Sequence, residues 1–297
     1  MLLIALLVPF AAAVAASPPP SDSAPINCDN CAEWNQPQAP FRVYGNTYFV
    51  GVQGLSSVLI VSDKGLILLD GALPQSATQI AANLHTLGFD IHDVKWILNS
   101  HAHFDHAGGI AALQRMSGAK VAASPNGARA LRAGNAPPDD PQASPGNAMR
   151  YPAVRDVKPI ADGATITLGE VVVTAHHTPG HTPGATSWTW RGCEDTRCVD
   201  LVYADSLNAI SAPGFRYSAD ASRVKQFRSS IATVRALPCD VMIAVHPGFS
   251  RVFEQHAASE REGSKAFIDP EACRAYADRA EKGLEERLQR EHDGRAD

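Results

Sequence analysis

Short apolar runs separated by turn residues dominate the first hundred positions of the chain. Three of these runs occupy residues 41–52, 57–61 and 66–70. Gly54 and the Asp-Lys-Gly turn at 63–65 lie between them, and because such punctuation is typical of hairpins, we predict a β-meander. Apolar residues then recur at helical spacing over 75–87, and a buried strand is predicted at 94–98.

The rest of the chain repeats this order of strands followed by helices. Strands are predicted at 164–168, 171–175, 186–190, 201–204 and 241–245. Helices are predicted at 110–116, closed by Gly118, at 221–237 and at 269–291, where Pro270 suits the first turn. Two such successions predict an α/β protein in which two sheets pack face to face, with helices on the outside.

Residues 124–152 interrupt this pattern. They are rich in Pro, Gly, Asn, Ala and Asp and have no sustained periodicity. We predict an irregular connection that is long for a compact domain. Such a loop either covers a functional site or is a solvent-exposed insertion, and both alternatives stay open.

Composition and charge narrow the classes of function. The chain has 297 residues, of which 45% are hydrophobic, so it can bury one large core or two small ones, and we favour a single domain. Its formal net charge is -5 and it has no basic run. Nucleic acid is therefore not expected as a partner, since phosphate backbones attract positive charge.

The N-terminus is an apolar run that ends in small residues. Residues 1–16 offer Ala-Val-Ala or Val-Ala-Ala as a small-x-small cleavage signal, although no Lys or Arg precedes them. We predict a signal peptide at 1–16, an N-terminal arm at 17–40 and the main domain at 41–297. A membrane anchor is the alternative, but the run is shorter than the roughly 20 residues that span a bilayer.

The cysteines form an even set. They are Cys28, Cys31, Cys193, Cys198, Cys239 and Cys273. In an exported chain such a set favours disulfides. A bond between Cys193 and Cys198 would close a short acidic turn, and one between Cys239 and Cys273 would link a strand to the C-terminal helix. The first pair would then be close neighbours, with metal binding or redox chemistry as the alternative for this CxxC motif.

Four metal-ligand side chains stand within six positions directly after the strand predicted at 94–98. They are His101, His103, Asp105 and His106. Imidazole nitrogen and carboxylate oxygen bind divalent metals, so alternating ligands in one turn can converge on two ions. A two-metal site activates water and is typical of hydrolysis. The alternative, a histidine-rich turn that only caps the following helix, does not account for four ligand-type residues so close together.

Two later histidines follow apolar strands in the same way. His181 lies in Thr-Pro-Gly-His-Thr-Pro-Gly at 178–184, and His246 lies in Val-His-Pro-Gly at 245–248. Rigid Pro and permissive Gly let a tight loop direct an imidazole across a sheet edge. Each would complete one metal site. His176 and His177 are kept as possible supports of the ligands.

With these motifs the chain resembles the metallo-β-lactamase superfamily, whose loop pattern appears at 101–109. It is most similar to the subclass B3 metallo-β-lactamases, on the segments 178–188, 203–208 and 231–248. The resemblance covers residues 41 to 280. It implies an αββα sandwich, and the spacing of the last cysteine pair matches a disulfide of that group.

The resemblance also implies the site residues. His101, His103 and His181 would bind one Zn²⁺, and Asp105, His106 and His246 would bind a second, giving two zinc ions per chain. Asp105 would orient the nucleophile, while Ser206 and Asn208 would hydrogen-bond the substrate carboxylate. The implied reaction is hydrolysis of the β-lactam amide bond of penicillins, cephalosporins and carbapenems by a zinc-bound hydroxide, which confers antibiotic resistance.

Other branches of the same superfamily are the alternatives. In lactonases and glyoxalase II-like thioesterases an Asp bridges the metals, and Asp205 is aligned closely enough to do so. An export signal and the absence of a basic C-terminal surface argue against a glutathione thioesterase. A nuclease is opposed by the acidic charge, and a non-catalytic member would be expected to lose ligands. We expect a monomer in the periplasm or outside the cell, with no membrane contact after signal cleavage.

Overall fold

The computed structural model of the protein describes residues 21–143 and 150–295. The predicted signal peptide at 1–16 lies outside the described residues, as do the first residues of the predicted arm.

The first sheet has seven strands, which lie side by side in chain order. They are β1 (Phe41–Tyr44), β2 (Thr47–Phe49), β3 (Val58–Ser62), β4 (Gly65–Leu69), β5 (Val94–Leu98), β6 (Lys120–Ala123) and β7 (Val157–Pro159). Strands β1 to β4 pair antiparallel, which confirms the predicted meander. Strands β4 to β7 pair parallel. Parallel neighbours need a long connection, and helices lie in the chain between each successive pair.

The second sheet has five strands in the order β12-β11-β10-β9-β8. They are β8 (Thr165–Leu168), β9 (Val171–His177), β10 (Thr186–Glu194), β11 (Arg197–Ala204) and β12 (Val241–Ala244). Strands β8 to β11 pair antiparallel, and β11 and β12 pair parallel. The ends of β5, β9, β11 and β12 lead into the loops that carry the predicted ligands.

Eight α-helices accompany the sheets within the described residues. They are α1 (Cys31–Trp34), α2 (Ala77–Thr86), α3 (Phe104–Ala107), α4 (Ile110–Ser117), α5 (Pro125–Ala133), α6 (Ala221–Ala236), α7 (Val252–Glu262) and α8 (Ala272–His292). None of the described helices is long and apolar enough to cross a bilayer. Asp220 caps α6 by accepting from the amides of Ser222 and Arg223, and Gly118 ends α4 at a φ of 71°.

The alternation of side chains along the central strands explains the layers. Ile60 belongs to a core cluster that also contains Trp188 of the second sheet. The adjacent Leu59 belongs to a different cluster, together with Ile80 of α2. Because successive residues of a strand point to opposite faces, β3 is buried on both sides. Its apolar run is therefore continuous.

The second sheet is covered in the same way on its outer face. Val202 and Met242 cluster with Phe227 of α6 and Leu284 of α8. Helices thus lie outside both sheets, and the predicted αββα sandwich is confirmed.

Several predicted boundaries were wrong. The run at 41–52 is two strands, because Gly45 turns the chain with a φ of 55°. The segment 124–152 contains α5, which Pro125 starts and the side chain of Ser124 caps. The C-terminal helix begins at Ala272 and not at 269. Strands β6 and β7 and helix α7 were not predicted from the sequence.

The cysteines are joined as adjacent pairs along the chain, in agreement with the favoured pairing. The bonds are Cys28–Cys31, Cys193–Cys198 and Cys239–Cys273. The last bond ties the residues before β12 to the first turn of α8.

Candidate metal centre

The ligand-rich turn lies at the C-terminal edge of the parallel part of the first sheet. His101 and His103 follow β5, and Asp105 and His106 lie on the short helix α3. All four side chains are buried. The turn is tight because a Cβ at Gly109 would lie 2.2 Å from the carbonyl oxygen of Gly71. Glycine is therefore required where this loop passes the end of β4.

Loops from the second sheet bring the two later histidines to the same edge. His181 follows β9, and the preceding Gly180 has a φ of 157°. A Cβ at Gly180 would lie 2.3 Å from the ring of Phe227, so only glycine permits this close approach to α6. His246 follows β12, and its ring lies 5.4 Å from that of Trp34 in the N-terminal arm.

Three of the predicted ligands form one compact group. A nitrogen of each of His101, His103 and His181 lies within 4.8 Å of the others. Nε2 of His101 is buried and makes no hydrogen bond within the described residues. A buried polar atom without a partner is costly unless something satisfies it. A group of three imidazoles, in which Nε2 of His101 has a lone pair to offer, fits Zn²⁺.

The remaining ligands form a second group beside the first. Oδ2 of Asp105 lies 3.2 Å from Nε2 of His106 and 3.4 Å from Nε2 of His246, and these two nitrogens are 3.2 Å apart. His101, Asp105 and His106 also satisfy the spacing of a metal site. The structure therefore brings all six predicted ligands together.

Three of the imidazoles are held through the nitrogen that faces away from the ligand groups. Nδ1 of His101 lies 2.7 Å from Oδ1 of Asp205, and Nδ1 of His181 lies 3.0 Å from the carbonyl oxygen of Asn208. Nδ1 of His246 lies 3.0 Å from the carbonyl oxygen of Gly54. Such contacts fix the tautomer, because the nitrogen that donates to an oxygen leaves the other with its lone pair.

Burial and mutual repulsion keep the rings of His101 and His181 in the neutral form that binds metal. Burial lowers the pKa of His181 to about 3, and the nearby His101 and His103 lower it further. Burial and the neighbouring His106 hold the pKa of His101 well below its usual range. Both rings are neutral at physiological pH, as metal ligation requires.

The carboxyl of Asp105 is kept ionised. Burial raises its pKa, but the positive potential of His106 and hydrogen bonds from His106 and His246 outweigh burial and hold the pKa well below its usual range. A charged carboxylate at this position can bind a cation or accept a hydrogen bond from water.

A buried aspartate that the sequence analysis missed supports the turn from below. Asp70 follows β4 and accepts hydrogen bonds from the backbone amide and hydroxyl of Ser100, the side chain of Asn99 and the hydroxyl of Tyr203. Its φ of 58° is unusual for a residue with a side chain. Burial raises its pKa to about 6. An Asp directly after an apolar strand was a usable signal.

A cavity of about 590 Å³ opens above the two groups. Its lining includes Ser206 and Asn208, the two predicted substrate-binding residues. The N-terminal arm contributes Trp34, and the segment 124–152, for which covering a site was one of the two alternatives, contributes Gln142. The arm and the loop thus both contribute to the walls of the cavity beside the ligand groups.

Three other residues named from the sequence have clear positions. Asp205 contacts the nitrogen of His101 opposite to the unpartnered one, so it lies behind that ring. Nε2 of His176 lies 2.9 Å from the hydroxyl of Thr189, and Nε2 of His177 lies 3.1 Å from the carbonyl oxygen of Ile160. Neither of these histidines supports a ligand.

Comparison with known proteins gives one family. Residues 50–246 match the Metallo-beta-lactamase superfamily. The structure is similar to that of the Rm3 metallo-beta-lactamase, with a TM-score of 0.86 and 52% identity, over 90% of this chain and 100% of that one. It is also similar to MEM-A1, a subclass B3 metallo-beta-lactamase from a soil metagenome library, with a TM-score of 0.85 and 49% identity, over 88% and 99% of the chains.

A curated relative carries a different activity in its name. A hydroxyacylglutathione hydrolase of Anaeromyxobacter dehalogenans is 30% identical over 193 residues, which are 64% of this chain and 59% of that protein. The chain thus spans less than two thirds of the length of this relative.

Proposed function

This chain belongs to the metallo-beta-lactamase superfamily, and from that membership we propose that it is a zinc-dependent hydrolase of the β-lactam amide bond. The proposal rests mainly on where the side chains that follow β11 lie. Asp205 lies behind His101, and Ser206 lines the cavity in its place. A thioesterase or lactonase of this superfamily would use an aspartate here to bridge two metals.

The residues suit two zinc ions. His101, His103 and His181 would hold one ion, and Asp105, His106 and His246 would hold the other. Bound zinc supplies Lewis acidity and lowers the pKa of water towards neutrality. The donor set of five imidazoles and one carboxylate is typical of zinc and not of Mg²⁺ or Ca²⁺, which prefer oxygen.

Asp105 is the proposed catalytic residue. Its ionised carboxylate lies at the floor of the cavity, where it accepts a hydrogen bond from the attacking water and fixes the direction of attack. Water adds its oxygen to the lactam carbonyl carbon, the C–N bond breaks, and a proton of the water ends on the nitrogen. The product is a ring-opened amino acid.

Ser206 and Asn208 are the proposed contacts for the substrate carboxylate. Among the residues that the structure describes, the ionisable side chains that line the cavity are three histidines and two carboxylates, Glu33 and Asp105. A substrate carboxylate is therefore bound by neutral donors here, and a hydroxyl and an amide supply them. The volume of about 590 Å³ suits a drug-sized molecule.

The alternative is a glutathione thioesterase, which the name of the Anaeromyxobacter relative suggests. Two features of this chain favour the lactamase over it. The cavity lining carries carboxylates where an anionic peptide would need cations. The subclass B3 enzyme MEM-A1 is also matched over 99% of its length, against 59% for the thioesterase relative.

We also propose that the protein acts outside the cytoplasm as a monomer. Its three disulfides within the described residues form and persist in oxidising compartments. The periplasm is such a compartment and is where β-lactams meet their targets, so activity there would confer resistance.

A substrate comparison tests the proposed activity. Purified, zinc-loaded protein is assayed with a penicillin, a cephalosporin, a carbapenem, a lactone and a glutathione thioester. We expect kcat/KM for at least one β-lactam to exceed that for the lactone and the thioester by 100-fold or more, on the order of specificity set by a shaped site. Faster hydrolysis of the thioester or the lactone would overturn the proposal.

A further inference from the structure

A second carboxylate lies against the ligand group from the loop side. Asp140 is 2% exposed, and both of its carboxylate oxygens lie 3.1 Å from Nε2 of His103. Within the described residues, His103 is the side chain that partners this buried carboxylate. Burying a charged group without a hydrogen-bonding partner is costly, because the free energy of hydration is lost.

The backbone around Asp140 is organised to present its side chain. The amide of Asp140 donates to the carbonyl oxygen of Pro137, and its Oδ1 accepts from the amide of Gln142 at 2.8 Å. The carbonyl oxygen of Pro141 accepts from the amide of Ala212 at 2.9 Å. The turn is therefore fixed internally and also tied to the segment that follows the predicted substrate contacts.

The other nitrogen of His103, Nδ1, faces the two remaining histidines of its ligand group. The side-chain nitrogen of Gln142 lies 3.4 Å from Nδ1 of His103 and 3.3 Å from Nε2 of His181. Those two ring nitrogens thus point towards one place, which is where a shared ion would bind. His103 differs from His101 and His181 in this respect, since they present Nε2.

This difference makes the tautomer of His103 important. A neutral imidazole in water is free to carry its proton on either nitrogen, and only the form protonated on Nε2 offers a lone pair on Nδ1. A carboxylate that accepts from Nε2 selects this form and fixes the plane of the ring.

We propose that Asp140 is a positioning residue for metal binding, which holds His103 as the Nε2–H tautomer with Nδ1 directed at the ion. The inference rests on the proposed function, because it assumes that His103 is a zinc ligand. Asp140 acts through His103 and touches neither the substrate nor the reacting atoms. The segment 134–143 therefore serves the ligands as well as forming part of the cavity wall.

Asp139 provides a matched control. It is the adjacent residue with the same side chain, but it is exposed and does not line the cavity. Asp140→Asn keeps the size of the side chain and removes the charge that selects the tautomer. Asp139→Asn removes the same charge from the same turn without touching His103.

The first measurement is zinc affinity, by competition with a chromophoric chelator, for the full chain and both variants. We expect Asp140→Asn to weaken one of two zinc sites by about 10- to 100-fold, the usual effect of losing such a support. Asp139→Asn should stay within about 2-fold of the parent, as expected for an exposed charge. Equal affinities for the parent and Asp140→Asn would overturn the proposal.

The second measurement needs no variant. The ¹⁵N chemical shifts of the histidine rings, recorded on the metal-free parent protein, report which nitrogen of His103 carries the proton. A predominant Nε2–H form supports the proposal, and a predominant Nδ1–H form overturns it even if Asp140→Asn does not fold. A parent protein that binds no zinc would overturn the proposed function itself, whereas failure of the inference alone leaves two bound zinc ions in the parent.

Discussion

The metal centre depends on how single side chains share their donor atoms. Each imidazole of the first group has one nitrogen directed at the group and the other engaged by an oxygen, from Asp205, Asp140 or the backbone of Asn208. Removing one ligand therefore changes one ion site while the supports of the other ligands stay in place.

Replacing His181 with Ala should separate ligation from folding. We expect His181→Ala to retain one zinc ion per chain in place of two and to lose at least about 100-fold in kcat/KM for a β-lactam, more than the loss of a mere support. Metal analysis by mass spectrometry and a spectrophotometric assay measure the two effects.

His177→Ala is the control for this change. The ring of His177 bonds to the backbone at Ile160, away from the cavity. This variant should keep two zinc ions and the parent rate. A His181→Ala protein with two zinc ions and full activity would contradict its assignment as a ligand.

The residues that could be predicted from the sequence were those in dense motifs. Four ligand-type residues within six positions indicate a site, and this motif made His181 and His246 recognisable as further ligands. Asp140 could not be found in this way, because it reaches His103 across 37 positions of the chain. An isolated aspartate in a loop has no spacing from which such a contact can be inferred.

At the scale of elements, hydrogen bonds to the buried carboxylate of Glu291 hold helix α8 to the short helical turn at 217–219. The carboxylate of Glu291 accepts from the amides of Tyr217 and Ser218 and from Nε of Arg287. Burial raises the pKa of Glu291, but these hydrogen bonds outweigh burial and lower it to about 2.

This lowered pKa predicts how stability depends on pH. Because the folded pKa lies below the unfolded value of about 4.3, the contribution of Glu291 is complete above about pH 5 and is lost as the pH falls towards 2. It amounts to about 3 kcal/mol of unfolding free energy. Urea unfolding of the parent and Glu291→Gln at several pH values measures it.

We expect the stability difference between the parent and Glu291→Gln to shrink as the pH falls over this range. Glu286→Gln is the control, since Glu286 is exposed on the same helix and pairs with Lys282 in solvent. A difference that is constant from pH 7 to pH 3 would show that the carboxylate charge of Glu291 does not stabilise the fold.

The disulfides should stabilise the fold unequally. Cys239 and Cys273 are 34 positions apart, and Cys193 and Cys198 are 5 apart. A disulfide that closes a longer loop restricts the unfolded chain more. Replacing Cys239 and Cys273 with Ser should therefore lower the free energy of unfolding by about 4 kcal/mol, and replacing Cys193 and Cys198 should lower it by about 2 kcal/mol. Equal losses in urea unfolding would argue that chain entropy is not the main source of the stabilisation.

Elements with strong periodicity were predicted well, and those without it were missed. Strands β3 and β4, which are buried on both faces, have continuous apolar runs. Helix α5 was missed because Pro125, Gly127 and several alanines give it few large apolar residues, although it packs Leu131 into the core. Strand β7 has three residues, of which one is buried, too few to show a period.

At the scale of the whole molecule, the sandwich brings loops from both sheets to one edge. His101 follows a strand of the first sheet, whereas His181 and His246 follow strands of the second. The ion sites therefore lie at the edge where loops of the two sheets meet, and metal binding should tie the two sheets together. The alternation of strands and helices predicted this architecture, but the position of the N-terminal arm over His246 depends on tertiary contacts that no local pattern encodes.

The proposed activity is tested most directly by measuring β-lactam hydrolysis while zinc is returned to metal-free protein. A carbapenem is monitored by its absorbance while zinc is added in known equivalents. We expect no hydrolysis without metal and a rate that rises until two zinc ions per chain are bound. A rate that does not depend on zinc, or a protein that holds two zinc ions and leaves penicillin, cephalosporin and carbapenem intact, would contradict the proposed activity.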